Sequence, residues 1–288
     1  MRTEFLPYCL PMIGDEEIAE VVDSLRSGWI TTGPKTRLFE QRFQEYTGAR
    51  HAIAVSSCTA ALHISLAAMG VGPGDEVIVP TLTFCATANV VVHLGAKPVL
   101  ADVDSNGLMT VETVRPAITP KTRAIIPVHF AGQTCEMGPL RQLALHHGVQ
   151  LVEDAAHAVG AEYQGDRVGC LGDAVAFSFY ATKNMTTGEG GMIATSDSAL
   201  AERMRRIALH GMSRDAWKRY SEAGSWYYEV LEPGYKANMT DIQAALGIHQ
   251  LRKLEGFIER RRQLAAEFTC RLSEYSELEL PIELPDRR

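Results

Sequence analysis

The chain has 288 residues, 46% of them hydrophobic and 22% charged, and carries a formal net charge of −7. That is a globular composition, long enough for one large domain and part of a second. Its acidic balance speaks against the broad basic face that nucleic acid requires. The six cysteines are scattered with no C-x-x-C spacing, so zinc and redox motifs are unsupported. No basic-then-apolar leader opens the chain, and no apolar run approaches the roughly 18 residues of a membrane span. A soluble cytoplasmic protein is expected.

From residue 51 onward, short β-branched runs alternate with helical patterns. The predicted strands are "HAIAVSS" (51–57), "DEVIVPT" (75–81), "KPVLADV" (97–103), "RAIIPVH" (123–129), "QLVEDA" (150–155), "AVAFSFY" (174–180) and "GGMIATS" (190–196). Helix-sized segments at 59–69, 86–93, 110–118 and 137–147 separate the first five. Apolar, non-alternating strands joined through helices predict a mostly parallel sheet covered on both faces. Only nine residues lie between Tyr180 and Gly190. A parallel crossover needs about a dozen or more, so the seventh strand should run antiparallel to its neighbours. A helix is expected at 197–210, then a polar, aromatic-bearing loop over 212–238, then one or two helices over 240–275.

Ligands of open parallel sheets bind at the carboxyl ends of the strands. Thr59, Asp154, Ser178 and Lys183 all fall at such ends. "SSCTAALHISLAAMG" runs from small hydroxyl residues straight into a helix, whose free N–H groups and dipole favour an anion. A phosphate at Cys58–Thr59–Ala60, with a hydroxyl from Ser178, is one reading, and a plain Ser/Thr helix cap is the other. No G-x-G-x-x-G follows the first strand, which disfavours a dinucleotide. Asp154 follows an apolar run and needs a partner for its carboxylate. A pyridinium N–H would serve, or the carboxylate caps the next turn. His157 either faces the same pocket or packs in the core. Lys183, in the Gly/Thr-rich turn of "SFYATKNMTTGEGGM", is either a solvated lysine or a nucleophilic amine. In company with a phosphate cradle and a buried acid, such an amine can form a Schiff base with pyridoxal 5′-phosphate (PLP). Phe84, in "TLTFCATAN", offers a flat face for the ring or packs into the core. Arg214, Lys218 and Arg219 could neutralise a diphosphate or form a solvated loop face.

The stretches "SGWITTGPKTRLFEQRF", "SSCTAALHISLAAMGVGPGDEVIVPTLTFCATAN", "VEDAAHAVGAEYQGDRVG", "SFYATKNMTTGEGGM", "HGMSRDAWKRY" and "GYKANMTDIQAALG" together resemble the DegT/StrS-type nucleotide-sugar aminotransferases. Within that family the chain is similar to enzymes that aminate UDP-linked 4-keto sugars, such as UDP-4-amino-4-deoxy-L-arabinose–oxoglutarate aminotransferase. The resemblance implies an α/β chain of PLP-dependent transferase fold type I (aspartate-aminotransferase-like). The sheet would be seven-stranded and mostly parallel, with one antiparallel strand, in a three-layer αβα arrangement. It also implies a role in polysaccharide biosynthesis, a homodimer with shared sites, and glutamate as amino donor.

Carried over position by position, Lys183 matches the Schiff-base lysine and Asp154 the partner of the pyridine nitrogen. His157 matches a polar residue near the cofactor's ring hydroxyl, and Phe84 the ring-stacking position. Cys58, Thr59, Ala60 and Ser178 match the phosphate cradle. Asn238 matches an asparagine that reaches the phosphate of the neighbouring subunit's cofactor. Tyr8, Trp29, Thr31 and Thr32 fall where relatives contact the sugar nucleotide. No metal is implied. Relatives continue for roughly another quarter of their length, so 1–245 reads as the PLP-binding domain and 246–288 as the truncated start of a small C-terminal domain. Two further readings accompany the aminotransferase. One is a PLP-binding pseudoenzyme or regulator, without turnover. The other is a PLP-dependent sugar dehydratase, whose relatives carry histidine where Lys183 stands.

Overall fold

The computed structural model describes residues 4–213 and 228–288. Arg214, Lys218 and Arg219 therefore lie outside the described residues. The chain opens with two helices that were not among the expected elements, α1 (Asp15–Ser27) and α2 (Pro34–Thr47). Acidic residues fill the first turn of α1, and Pro34 begins α2, both favourable at a helix N-terminus. Each helix ends on a left-handed glycine, Gly28 at φ 79° and Gly48 at φ 76°.

The expected strands form one seven-stranded sheet: β1 (His51–Val55), β2 (Glu76–Pro80), β3 (Lys97–Ala101), β4 (Thr122–Ile125), β5 (Gln150–Asp154), then β8 (Ala174–Ser178) and β9 (Gly191–Thr195). A small hairpin, β6 (Glu162–Tyr163) and β7 (Asp166–Arg167), precedes β8. It was not anticipated. Its two-residue turn, Gln164 at φ 55° and Gly165 at φ 88°, has positive φ at both positions, as a type I′ hairpin requires. The sheet order is β1-β9-β8-β5-β4-β2-β3, and β9 is antiparallel to both neighbours, as its short connection demanded. The pairs β2–β3, β2–β4, β4–β5 and β5–β8 are parallel.

The crossover helices are α3 (Cys58–Ala68), α4 (Ala86–His93), α5 (Val111–Val114) and α6 (Met137–His147), and α7 (Ser198–Ile207) follows the last strand. The helix expected over 110–118 is shorter: one α turn, then a 3-10 turn over Arg115–Ala117, because Pro116 cannot donate to continue the ladder. The strand expected over 123–129 ends at Ile125 and continues as a loop. The last helix, α8 (Asp241–Leu272), is a single 32-residue element.

Successive strand residues feed opposite faces, giving three layers. Ile53, Val55, Ala176 and Ile193 pack with α3 and α7, whereas Ala54, Val175, Phe177 and Met192 pack with α2 and α8. Phe43 meets Phe177 at 5.0 Å and Phe179 at 5.6 Å between ring centroids, edge to face. The run "AVAFSFY" is buried because helices cover both sides of it. Among the described residues no helix is long and apolar enough to cross a membrane.

Candidate active site

Gly191 pairs with Val55 on one side and Ser178 on the other, so β9 begins where β1 and β8 end. Beside it the chain leaves β1 and enters α3. A Cβ on Gly191 would lie 2.5 Å from the carbonyl carbon of Ser57 and 2.7 Å from the Cys58 nitrogen. Glycine therefore lets the N-terminus of α3 settle against the sheet. Ser57 caps that helix, its Oγ accepting from Ala60 N–H at 3.1 Å. The N–H groups of Cys58 and Thr59 have no acceptor among the described residues. Cap and cradle thus coexist: Ser57 takes one donor and leaves two for an anion. Thr59 is exposed, and Ser178, buried at the end of β8, faces the same strand ends.

Asp154 ends β5, 5% exposed. Its Oδ1 accepts from Ala156 N–H at 3.1 Å and lies 3.9 Å from the Cys58 sulfur, and its Oδ2 accepts from Thr87 Oγ1 at 2.9 Å. No ion pair engages it among the described residues. Burial pushes the Cys58 thiol well above its ordinary range, the Asp154 charge adds to this, and Lys183 opposes it. Cys58 is therefore a neutral thiol at the floor of the site.

Lys183 donates its backbone N–H to Tyr180 O at 2.9 Å, within a loop that doubles back on itself. Thr187 N–H and Thr186 Oγ1 both donate to Phe179 O, at 2.9 and 3.1 Å. The α8 helix braces this loop. Gln243 Nε2 donates to Glu189 O at 3.0 Å, Arg261 Nη1 to Asn184 O at 3.1 Å, and Gln250 Oε1 accepts from Thr186 N–H at 3.4 Å. The Lys183 ammonium has no hydrogen bond or salt bridge among the described residues, yet its charge is felt at both Cys58 and His157.

His157 is exposed, with its ring 6.4 Å from that of Phe130, so the core alternative does not hold. Desolvation and then the Lys183 charge lower the pKa of its imidazole, against Asp154, and keep it neutral at pH 7. Phe84 is 76% exposed in the turn between β2 and α4, which also removes its core alternative.

Asn238 lies against β1 of its own chain. Ala237 O accepts from Ser56 N–H at 2.8 Å, and Asn238 bridges to Val55. Its Nδ2 donates to Thr32 Oγ1 at 2.6 Å, and its Oδ1 accepts from Lys236 Nζ. The segment with Trp29, Thr31 and Thr32 wraps the start of α8. Thr31 O accepts from Asp241 N–H at 2.9 Å, and the buried Asp241 carboxylate caps α2 through Gly33 N–H (2.7 Å) and Thr36 N–H (2.9 Å). Tyr8, in the N-terminal arm, is 95% exposed and is not gathered with the others. Sequence reasoning missed Ser57, Gly191, Thr83, Thr87 and Asp241. Of these Ser57 alone left a readable signal, as the Ser/Thr helix cap that the run into α3 suggested.

These groups fit PLP: among the described residues they are two helix N–H groups without an acceptor beside Gly191, a buried carboxylate without a cation, an exposed aromatic face and a lysine without a side-chain partner. An open cleft at the opposite end of the sheet, by Arg50, Cys170, Asp173 and Asp197, contains none of them. The family profile described as "DegT/DnrJ/EryC1/StrS aminotransferase family" matches residues 11–288. The spore coat polysaccharide biosynthesis protein SpsC of Bacillus subtilis is 52% identical over 289 residues, which cover 100% of this chain and 74% of SpsC. Spr1654 from Streptococcus pneumoniae, solved in its PLP-form, is 37% identical at a TM-score of 0.86, over 93% of this chain and 71% of that one. Helicobacter pylori PseC, an aminotransferase involved in the biosynthesis of pseudoaminic acid, is 31% identical at a TM-score of 0.87, over 94% of this chain and 72% of that one. The fold is accordingly PLP-dependent transferase fold type I, and the chain belongs to the DegT/DnrJ/EryC1/StrS aminotransferase family.

Proposed function

We propose that this PLP-dependent sugar aminotransferase takes its amino group from glutamate and delivers it to a UDP-linked 4-keto sugar. The observation that carries the reading is the meeting of Lys183, Asp154 and the N-terminus of α3 at one end of the sheet. The likeness to SpsC and PseC supports a sugar substrate. When bound, PLP supplies an electron-withdrawing ring that stabilises charge at the substrate carbon being aminated.

The chain's own residues do the rest in this reading. Cys58 and Thr59 N–H groups, with Thr59 and Ser178 hydroxyls, receive the phosphate. The Asp154 carboxylate would hold a proton on the ring nitrogen, and Phe84 would offer its face to the ring. His157 would supply an uncharged imidazole toward the ring hydroxyl. The Lys183 amine anchors the cofactor and then carries a proton to or from the substrate carbon as general acid and base. Asn238 reaches the phosphate of the neighbouring subunit in a homodimer. Tyr8, Trp29, Thr31 and Thr32 contact the sugar nucleotide. Residues 1–245 form the cofactor domain and 246–288 open a smaller one. Incubation with PLP, glutamate and a UDP-linked 4-keto sugar should yield the 4-amino sugar and 2-oxoglutarate in equal amounts. Turnover of the keto sugar without 2-oxoglutarate would overturn the aminotransfer reading. Turnover only with another nucleotide or a 3-keto sugar would overturn the substrate.

A further inference from the structure

The two oxygens of Asp154 are held by different groups, and among the described residues only Oδ2 meets a side-chain hydroxyl. Thr87, fully buried in the first turn of α4, places its Oγ1 2.9 Å from Oδ2 and 2.7 Å from Thr83 Oγ1. Chemistry fixes the direction of both bonds. An ionised carboxylate only accepts, so Thr87 spends its single hydroxyl proton on Asp154. The Thr87 oxygen can then only accept, and Thr83 is its donor. Hydrogen bonds in series polarise one another, and the outer hydroxyl strengthens the inner one.

The same two threonines bracket Phe84. Thr83 is its immediate neighbour in the β2–α4 turn, and Thr87 stands one helical turn beyond. The relay therefore ties the turn that presents the aromatic face to the strand that presents the carboxylate. Between them would lie the plane and the nitrogen of one ring.

We infer that Thr87 is the positioning residue for Asp154, and that Thr83 acts behind it to hold the carboxylate in register with Phe84. The inference rests on the reading of Asp154 as the partner of the cofactor's ring nitrogen. Removing the Thr87 hydroxyl takes the donor from Oδ2 and leaves the Ala156 N–H on Oδ1 to orient the buried carboxylate. Serine keeps the hydroxyl and would keep the function.

The test is the dissociation constant for PLP, measured by absorbance titration of the purified chain, with far-UV circular dichroism as the check on folding. Thr87→Val should weaken binding about tenfold or more, the usual effect of losing a hydrogen bond to a charged group. Thr87→Ser should bind like the unaltered chain. Thr83→Val should weaken binding less than Thr87→Val, and the Thr83→Val/Thr87→Val double variant no more than Thr87→Val alone. Adding Thr87→Val to Asp154→Asn should cost nothing further, because the hydroxyl acts through the carboxylate. If Asp154→Asn is weakened and folded Thr87→Val is not, the relay is refuted while the site stands. If Asp154→Asn itself binds normally, the reading of the site is wrong and the relay falls with it. Should Thr87→Val fail to fold, half-buried Thr83→Val decides: unchanged affinity there refutes the relay.

Discussion

Gly191 and Ser57 approach so closely that a single methyl on the glycine would sit 2.5–2.6 Å from the serine's carbonyl carbon and oxygen. Both partners are backbone, one in a sheet and one at a capped helix start, so neither can give way cheaply. Gly191→Ala should cost about 2 kcal/mol or more of stability, a typical overpacking penalty, by denaturant unfolding. It should also weaken PLP binding, because the donors of Cys58 and Thr59 are pushed off the sheet. Normal stability and affinity would show that the α3 terminus is not held by this contact.

Borohydride treatment of the PLP-loaded chain should fix the cofactor on the peptide containing Lys183. Recovery elsewhere rejects the assignment. Lys183→Ala should still bind PLP noncovalently and lose transamination by roughly 10³-fold or more, since anchor and proton carrier go together.

Asp154→Asn should keep the fold and cripple the half-reaction with glutamate. Losing one preorganised charge of this kind costs about 3 kcal/mol or more. Near-normal single-turnover rates would make Asp154 a structural cap.

Asn238 is engaged with Thr32 of its own chain, and the proposed cross-subunit role has a direct test. If each site combines Lys183 of one subunit with Asn238 of the other, a mixed dimer of Lys183→Ala and Asn238→Ala carries both defects in one site. Its other site is native, and up to half the normal activity should return. If Asn238 serves its own subunit, nothing returns. The assay needs Asn238→Ala to be impaired alone, which loss of a charge-assisted bond worth about 1.5–3 kcal/mol should ensure.

Glu17 ties α1 to α8. Burial raises its carboxyl pKa, but hydrogen bonds from Lys253, Gly14 N–H and Gln250 outweigh this and bring it down to about 2. Its side chain lies 2.8 Å from Lys253 Nζ and has no exposed surface. A depressed carboxylate stabilises the fold above its unfolded value near 4.5 and stops doing so as pH falls toward 2. The wild-type advantage over Glu17→Gln should be roughly 3 kcal/mol at neutral pH and shrink between those values in pH-dependent unfolding. A gap independent of pH would assign it to packing.

Glu17 also shows why part of the fold was hard to read in the sequence. The buried positions of α1 are Glu17 and Ser24, so its inward face is polar. Its apolar positions Ile18, Val21, Val22 and Leu25, spaced at three and four, are half-buried or exposed rather than placed as in a core helix. The sheet was legible because β2, β8 and β9 are buried at every position and read as unbroken apolar runs. Lys183, Asp154 and Thr59 stood out as polar residues at the ends of such runs. Thr87 did not, since its value comes from Asp154, 67 positions away. Gly191 looked like one more turn glycine until the helix beside it was in place.

One consequence of α8 reaches both halves of the site. At about 1.5 Å per residue its 32 residues make a rod of roughly 48 Å. Near its first turn it grips Thr31, Gly33 and Thr36 through Asp241. Gln243 in the same turn, with Gln250 and Arg261 further along, holds the loop of Lys183. A stiff beam clamped at several points transmits displacement rather than absorbing it. Any tilt imposed on the outer end would shift the lysine's platform and the Trp29–Thr32 strap together, preserving their spacing.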